Sequence, residues 1–281
     1  MVKAGEISIV ATPIGHLDDM TIRAVGVLKS VDQIAAEDTR HSQRLLAHFG
    51  IEKPLVALHD HNEQEKALML IEKVKVGMNL ALISDAGTPL ISDPGYHLVR
   101  LAHQHGIRIV PIPGPCSIIA ALSASGLPTD RFIFEGFLPA KAVARQKRLM
   151  ELEPESRTLI FFETPHRILE SLAGIIAVFG ALREATLARE LTKTFETIRT
   201  DTLLSLLNGI KTHTVQQKGE FVLIVAGNTT ASKQILTLEA ERILKTLLTE
   251  LSVSDAARFT AKITGIRKAL LYEYALKQSL T

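Results

Sequence analysis

Two short runs of acidic, basic and imidazole side chains have the composition needed for acid–base chemistry. Residues 37–41 read EDTRH and residues 59–63 read HDHNE. Asp38 or His59 could move a proton, and Arg40 could bind a phosphate through its guanidinium. Successive side chains of an extended segment point to opposite sides, so one metal ion would collect two ligands at most. The pattern therefore favours a polar substrate surface without a metal, with charged helix caps and loop residues as the alternative.

Three loops rich in glycine and proline have the composition of ligand-binding loops. They read TPIGHLDD at residues 12–19, SDAGTPLISDPG at 84–95 and PIPGPCSI at 111–118. The first departs from the G-x-G-x-x-G fingerprint, which argues against a Rossmann dinucleotide site. The second places two carboxylates just beyond a buried run, and the third opens a helix whose first amides lack partners. These loops predict a ligand site of another kind.

Each loop also has a purely structural interpretation. Asp85 and Asp93 could act as a turn former and a helix cap. The small residues that follow residue 117 could serve close helix packing alone. Cys116 has no basic residue beside it, so a small buried thiol is favoured over a nucleophile.

Short β-like runs that alternate with amphipathic stretches must position these loops. Such alternation predicts an α/β fold with a largely parallel sheet, whose carboxyl edge is the usual ligand-binding edge. The expected strands of the first half are residues 6–12, 32–36, 54–58, 79–84 and 107–112, and those of the second half are 131–137, 157–163, 185–190 and 220–226.

Several polar residues and glycines have the positions of helix ends. Expected helix starts are Asp18 or Asp19, Asn62 in a capping box with Glu65, and Asp93 before a proline, while Gly50 and Gly106 are expected stops. Strand signals cease after Gly227, which predicts two or three terminal helices.

The length of 281 residues exceeds the usual size of one compact domain. A cluster of turn residues at 126–130 is the expected linker. The predicted division is an N-terminal α/β domain at 1–126, a C-terminal α/β domain at 127–230 and a small helical extension at 231–281.

Charge and composition indicate which partners and which cellular compartment to expect. The net charge is +2, but residues 1–138 carry 12 basic and 15 acidic side chains, whereas residues 139–281 carry 20 and 15. The second part is therefore the better candidate to face an anion, with ordinary scatter as the alternative. One cysteine excludes an internal disulfide, and no apolar run approaches the roughly 18 residues of a membrane span. We expect a cytoplasmic protein without a membrane partner.

Eight motifs, taken in order, resemble one known family. They read VATPIGHLDDMTIRA, AAEDTRHSQRLLAHFGI, LHDHNE, ISDAGTPLISDPGYHLV, PIPGPCSIIAALSASGLPTDRFIFEGFLP, TLIFFETPHR, LARELTKTFE and KGEFVLIVAG. Together they are similar to the bacterial ribosomal RNA small-subunit methyltransferase I family, the RNA-modifying branch of the tetrapyrrole methylase superfamily. The resemblance covers essentially the whole chain.

The resemblance implies a class III methyltransferase fold of two α/β domains with a small C-terminal helical extension, usually a homodimer. It implies S-adenosylmethionine in the cleft between the domains. The implied reaction is 2′-O-methylation of a cytidine in the decoding region of 16S ribosomal RNA, either as free RNA or in the small ribosomal subunit. The alternatives are a corrinoid-precursor methylase and a non-catalytic ribosome-assembly factor of the same fold.

The resemblance also implies site residues. The superfamily's Gly-Asp-Pro loop corresponds to residues 84–88, which read SDAGT here, so the partner of Asp85 stays open. The expected cofactor residues are Pro13, Ile14, Asp85, Ala86, Thr88, Ser117, Ile118, Phe161, Phe162, Leu191 and Phe221. The catalytic candidates are Asp38, His59 and Lys193, the last of which could instead contact an RNA phosphate or lie idle on the surface.

RNA contacts are expected from basic residues in both halves. The substrate-binding candidates are Arg40, His61, Arg167 and Arg189, joined by Arg258, Lys262, Arg267, Lys268 and Lys277 of the terminal helices. The alternative for the terminal helices is packing or dimerisation with solvated charges.

Overall fold

A computed structural model describes residues 4–212, 218–228, 238–266 and 268–279. The chain forms two compact units: a main unit of Met1–Glu151 with Thr158–Ala226, and a C-terminal unit of Leu152–Arg157 with Gly227–Thr281. The division into three domains that the sequence suggests stays a prediction.

The first sheet of the main unit has five parallel strands in the order β3-β2-β4-β1-β5. All four residues of β4 are buried, as expected of a central strand covered by helices on both faces. The strands are β1 (Glu6–Val10), β2 (Gln33–Ala36), β3 (Leu55–Ala57), β4 (Leu80–Ile83) and β5 (Arg108–Ile112), and the helices are α1 (Ile22–Ser30), α2 (Thr39–His48), α3 (Glu63–Lys75) and α4 (Tyr96–Gln104), with a 3-10 turn at Leu17–Asp19. The predicted parallel sheet is confirmed.

Three predicted helix starts are wrong in detail. Thr21, rather than Asp18 or Asp19, caps α1, because the aspartates belong to the 3-10 turn before it. Asn62 precedes α3 but makes no capping bond, since its side chain bonds to the residue 59 backbone and ring instead.

The start of α4 is held from another helix rather than by Asp93. Gly95 occupies the cap position and has no side chain to offer. The buried carboxylate of Glu63, on α3, accepts hydrogen bonds from the backbone N–H groups of Gly95, His97 and Leu98 at 3.0, 2.7 and 3.3 Å. These amides are the ones that a helix start leaves without intrahelical partners.

The second sheet is mixed, with the order β6-β7-β10-β8-β9. The β6 and β7 strands are parallel, and the other neighbours are antiparallel. The strands are β6 (Phe132–Phe137), β7 (Thr158–Glu163), β8 (Glu184–Arg189), β9 (Thr197–Thr202) and β10 (Phe221–Val225), and the helices are α5 (Ser117–Ser125), α6 (Ala142–Leu152), α7 (Ile168–Phe179) and α8 (Leu203–Thr212). The edge strand β9 was not predicted, because its sequence TIRTDT is polar on both faces.

Helix α5 joins the loops of the first sheet to the second sheet. The carbonyl of its last residue, Ser125, accepts hydrogen bonds from the hydroxyls of Thr186 and Thr200 at 3.1 and 2.7 Å. Its buried side chains share one apolar cluster with Ile14 and Leu191. The loops after the first sheet are therefore anchored on the second.

The described residues of the C-terminal unit form three helices, α9 (Leu238–Leu248), α10 (Val253–Thr264) and α11 (Lys268–Ser279), within the predicted number. Ser252 caps α10, and Gly265 ends it in the left-handed conformation. In the part of the chain that the structure describes, no helix combines the length and the apolar character needed to cross a membrane.

Candidate active site

A concave cavity of about 250 Å³ lies where the loops after β1 and β4 and the start of α5 meet strands β7, β8 and β10. Its wall is mostly apolar, with a few convergent polar groups, which is the usual character of a small-molecule site. Its lining includes Ile14, Ala86, Gly87, Thr88, Asp93, Cys116, Ser117, Ile118, Phe137, Phe162, Glu163, Leu191 and Phe221. We call it the cofactor cavity.

Hydrogen bonds between the loops fix the shape of this wall. Thr12 and Gly87 exchange backbone hydrogen bonds of 2.8 and 3.1 Å, and the Thr12 hydroxyl donates to the Ser84 carbonyl at 3.1 Å. The Thr88 hydroxyl donates to the carbonyl of Pro115 at 3.0 Å. The three glycine- and proline-rich loops predicted as ligand loops are thus bonded to one another.

The aromatic part of the wall comes from the second sheet. The Phe162 ring lies edge-on to Phe134, with centroids 4.8 Å apart, and tilted to Phe137 at 5.5 Å. Phe161 points to the opposite face of β7, because side chains alternate along a strand, and it is 1% exposed in the core. Phe137 was missed, although its place at the end of β6 and its 49% exposure would mark it.

Backbone strain is concentrated around the cavity. Among the described residues, the non-glycine residues with positive φ are Leu90, Ser92, Glu190 and Thr192. All four belong to the loops 84–95 and 190–193 that contribute to the wall. Such conformations persist where the surroundings enforce them and are common at functional sites.

A second cavity of about 450 Å³ adjoins the first and shares Ile14, Ala86 and Glu220 with it. We call it the α2 cleft. The other lining residues are Pro13, Gly15, Leu17, His41, Arg44, Leu45, His48, Asp85 and Lys193.

Lys193 stands at the α2 cleft between two carboxylates. Its ammonium lies 3.0 Å from both Glu190 and Glu220. Burial alone would lower the pKa of Lys193, but the hydrogen bonds to the two carboxylates outweigh it and raise the pKa. The side chain is therefore a fixed cation at neutral pH and cannot accept a proton there.

A group of carboxylates lies at the carboxyl edge of the first sheet. Burial, together with the charges of Asp93 and Asp85, raises the pKa of Glu37 to about 7. Burial also raises the pKa of Asp93 to about 6, against a hydrogen bond from Ser84. Asp93 lines the cofactor cavity, so a carboxylate that can exchange a proton near neutral pH faces the site.

The other two catalytic candidates occupy structural positions. Asp38 caps α2 by accepting a hydrogen bond from the Arg40 N–H at 2.8 Å, which holds the pKa of Asp38 below its ordinary value. The Nε2 of His59 lies 3.1 Å from the Asn62 amide, and its buried Nδ1 has no partner. Neither residue lines the cofactor cavity or the α2 cleft. Their catalytic roles stay predictions.

Most of the predicted cofactor residues converge. Eight of them line the cofactor cavity, namely Ile14, Ala86, Thr88, Ser117, Ile118, Phe162, Leu191 and Phe221. Pro13 and Asp85 line the α2 cleft instead, and Asp85 also accepts a hydrogen bond from the Asp38 N–H at 3.2 Å.

The four predicted substrate residues do not converge. Arg189 is 6% exposed and donates to the carbonyls of Lys218 and Phe195. Arg167 donates to the Leu138 carbonyl and lies 3.6 Å from Glu163. Arg40 is exposed beside Asp38, and the exposed His61 packs its ring edge-on to His59. Arg189 and Arg167 are thus held by internal contacts.

The basic residues of the terminal helices are placed in part. Arg258 pairs with Asp255 at 2.8 Å and covers the Phe259 ring, and the Lys268 ammonium donates to Ser254. Lys262 is exposed. Arg267 and the Lys277 side chain lie outside the described residues.

Comparison with known proteins gives a consistent set of relatives. Residues 6–207 match the family described as tetrapyrrole (corrin/porphyrin) methylases, and residues 234–279 match the one described as the RsmI C-terminal HTH domain. The chain is 57% identical to a Pseudomonas aeruginosa protein named ribosomal RNA small subunit methyltransferase I, over 98% of both chains. The Escherichia coli O157:H7 protein of that name is 56% identical over 98% of this chain and 96% of its own.

Solved structures with similar folds are more distant in sequence. A cobalt precorrin-4 methyltransferase superposes with a TM-score of 0.58 at 18% identity, covering 79% of this chain and 94% of its own. A diphthine synthase gives 0.59 at 15% identity, covering 82% and 94%. A Thermus thermophilus uroporphyrin-III C-methyltransferase complexed with S-adenosyl homocysteine gives 0.54 at 18%, covering 79% and 97%.

Proposed function

Because the chain belongs to the ribosomal RNA small subunit methyltransferase I family of tetrapyrrole methylases, we propose that it methylates the ribose 2′-hydroxyl of a cytidine in the decoding region of 16S ribosomal RNA. The chain is an S-adenosylmethionine-dependent methyltransferase. The proposal names the nucleotide class and the acceptor atom.

The observation that carries the RNA assignment is the extent of the match. The tetrapyrrole methylase region ends at residue 207, and enzymes acting on small molecules share that region. The ribosomal relatives match this chain over 98% of its length, and their C-terminal helical domain matches residues 234–279. The residues beyond the shared region therefore separate the RNA-modifying branch from the small-molecule branch.

The cofactor cavity fits S-adenosylmethionine. The Phe162 and Phe137 rings offer flat apolar surface for an adenine. Thr88 and Ser117 offer hydroxyls, and the Ser117 hydroxyl stands in the first turn of α5, which has no side-chain cap of its own. A Cβ at Gly87 would lie 3.3 Å from the Ile14 side chain, so a larger residue there would push Ile14 by a few tenths of an ångström. The bound cofactor would supply an already activated methyl group.

The protein's part in such a transfer is mainly positioning. Methyl transfer is an in-line displacement, so the acceptor oxygen must be held against the methyl carbon. Ile14 and Ala86 lie on the border that the two cavities share, so we propose that the target ribose enters from the α2 cleft and that its acceptor oxygen lies at this border. Lys193, held cationic, would stabilise negative charge on the acceptor oxygen. Asp93 would take the proton, because it faces the cofactor cavity and titrates near neutrality.

The test of the function is the RNA itself. Ribosomal RNA from cells that lack the protein should be missing one ribose methyl group in the decoding region, which mass mapping detects. The methyl should return when purified protein and S-adenosylmethionine are added to those small subunits. An RNA of unchanged mass would overturn the proposal.

Family membership also supports proposals about the oligomeric state, the location and the form of the substrate. We expect a homodimer in the cytoplasm, acting on the small subunit or its RNA. Calorimetry with S-adenosylmethionine tests the enzyme against a non-catalytic assembly factor, because a protein that does not bind the cofactor could not transfer the methyl.

A further inference from the structure

The α2 cleft contains a row of basic side chains along one helix face. His41, Arg44 and His48 lie at positions i, i+3 and i+7 of α2, so they share a face, and all three are exposed. They span roughly 10 Å along the helix axis. The opposite face is fixed, because Ser42 and Leu46 are buried against the first sheet. The row is therefore presented outward on a rigid element.

Arg44 is the permanent cation of this row, and no ion pair among the described residues neutralises its charge. Residues 39–51 contain no aspartate or glutamate, although the first half of the chain is acidic overall. In the described part of the chain, no carboxylate lies within ion-pair distance of Arg44, whereas Arg148 and Arg157 each pair with a glutamate. The one carboxylate at the helix start, Asp38, is already occupied by α2's own amide. Arg44 is thus a free guanidinium in a cavity next to the cofactor.

On the opposite side of the cleft the charge of Lys193 is balanced by carboxylates, and Asp85 also lines the cleft, so the cation left without a carboxylate partner among the described lining residues is Arg44. Lys193 is held there by Glu190 and Glu220, and Gly15 allows the first loop to approach it closely. Leu17 and Leu45 provide apolar surface between the charges. A polyanion with apolar parts matches this arrangement, and a strand of RNA has that chemistry in its phosphates and bases.

Resting on the proposed function, we propose that the α2 cleft binds the ribose-phosphate strand at the target nucleotide. Arg44 binds a backbone phosphate, and His41 and His48 extend the contact along the strand. The guanidinium suits this role because it binds phosphate oxygens through two parallel hydrogen bonds. The contact sets affinity and register, so Arg44 acts by binding and positioning the strand and takes no part in proton transfer.

The test compares Arg44→Ala, His48→Ala and Arg44→Lys with the wild-type enzyme. Arg23→Ala is the matched control, because Arg23 is an exposed arginine on the neighbouring helix α1 and lines neither cavity. Affinity for small subunits that lack the methyl group, and for a single-stranded RNA of the decoding-region sequence, is measured between 50 and 200 mM salt. Calorimetry gives the S-adenosylmethionine affinity, and single-turnover methylation at saturating RNA gives the rate.

Arg44→Ala should weaken RNA binding about tenfold and lower the slope of log affinity against log salt by ~0.7, the value for one single-strand phosphate. Arg44→Lys should restore the salt slope, because it keeps the charge, but only part of the affinity, because an ammonium cannot make the two parallel hydrogen bonds. His48→Ala should weaken binding less than Arg44→Ala. The cofactor affinity should stay unchanged in all of them, and Arg23→Ala should match the wild type in RNA affinity, cofactor affinity and saturating rate.

Two results would overturn the inference alone. One is that both Arg44→Ala and His48→Ala bind RNA with the same affinity and salt slope as the wild-type enzyme, in an experiment in which the wild-type enzyme methylates RNA. The other is a loss of cofactor affinity in Arg44→Ala that accounts for the whole effect. If the wild-type enzyme transfers no methyl group to either RNA, the proposed function itself fails, and the inference fails with it.

Discussion

Replacing Gly15 with alanine should destabilise the protein and impair catalysis, although the change adds one methyl group. A Cβ at Gly15 would lie 2.6 Å from Lys193 Cγ, 2.6 Å from the Thr192 hydroxyl and 2.9 Å from the Leu191 carbonyl oxygen. Real Cβ atoms do not approach other atoms so closely, and one of the three is backbone. The first loop and the 190–193 turn must therefore move apart.

The cost follows from overpacking. Inserting a methyl group into a closely packed contact costs ~1–3 kcal/mol. The hydrogen bond from the His16 N–H to the Thr192 hydroxyl, 3.0 Å long, would be stretched as well. Because Leu191 lines the cofactor cavity and Lys193 the α2 cleft, the shift should lower kcat/KM by about tenfold or more, since an ångström of misplacement can cost that much.

Gly26→Ala is the matched control, and we expect it to raise the free energy of unfolding rather than lower it. Gly26 lies within α1, and nothing is within 4 Å of its added Cβ. Alanine should stabilise that helix by ~0.5–1 kcal/mol. Urea unfolding and steady-state methylation measure both variants. If Gly15→Ala were as stable and as active as Gly26→Ala, the close contact between the first loop and the 190–193 turn would be refuted.

Three further variants test other parts of the structure. Gly87→Ala should lower cofactor affinity in calorimetry, because its Cβ would press on Ile14. Gly106 also has a positive φ, 64° against 83° at Gly87, but open space around its Cβ, so Gly106→Ala should cost only ~1–2 kcal/mol in unfolding experiments and leave binding intact. Because the pKa of Glu37 is about 7 in the folded protein, Glu37 keeps a proton there at pH values where it has already lost it in the unfolded chain. The free energy of unfolding should therefore fall as pH rises from 5 to 7. Glu37→Gln should reduce this pH dependence: in urea titrations, the stability lost between pH 5 and pH 7 should be smaller than in the wild type by ~1 kcal/mol after allowance for solvent screening. An equal loss in both proteins would contradict the raised pKa of Glu37. Glu63→Ala should cost ~2–3 kcal/mol in the same assay, because three amides lose their acceptor, and a smaller loss than 1 kcal/mol would show that water replaces it.

The sequence predicts the strands well because burial leaves a simple pattern. Every predicted strand is present within about two residues of its expected ends, since apolar runs such as LALI can only be central strands. The polar edge strand β9 lacks that signal, because solvent on both faces removes the selection for apolar residues.

The site was predictable to the extent that it is built from loops that follow strands. Loops 12–19, 84–95 and 111–118 meet because parallel strands end at one edge. What local sequence does not give is the partner of each side chain. Asp38 caps its own helix, Arg189 serves two backbone carbonyls, and Lys193 is fixed by a glutamate from another strand end. These roles depend on contacts between residues far apart in the chain.

The Glu63 carboxylate has a consequence for motion. Near one end, the loop 84–95 is hydrogen-bonded to Thr12 of the first loop. At the other end, its last residue, Gly95, and the start of α4 are hydrogen-bonded to Glu63 of α3. A segment fastened at both ends cannot swing as a lid on one hinge. Amide hydrogen exchange at Gly95, His97 and Leu98 should therefore follow the local unfolding of α3 and α4 together, as one cooperative unit. Access to the cofactor cavity would then be gated from the second sheet or the 190–193 turn, and not from this loop.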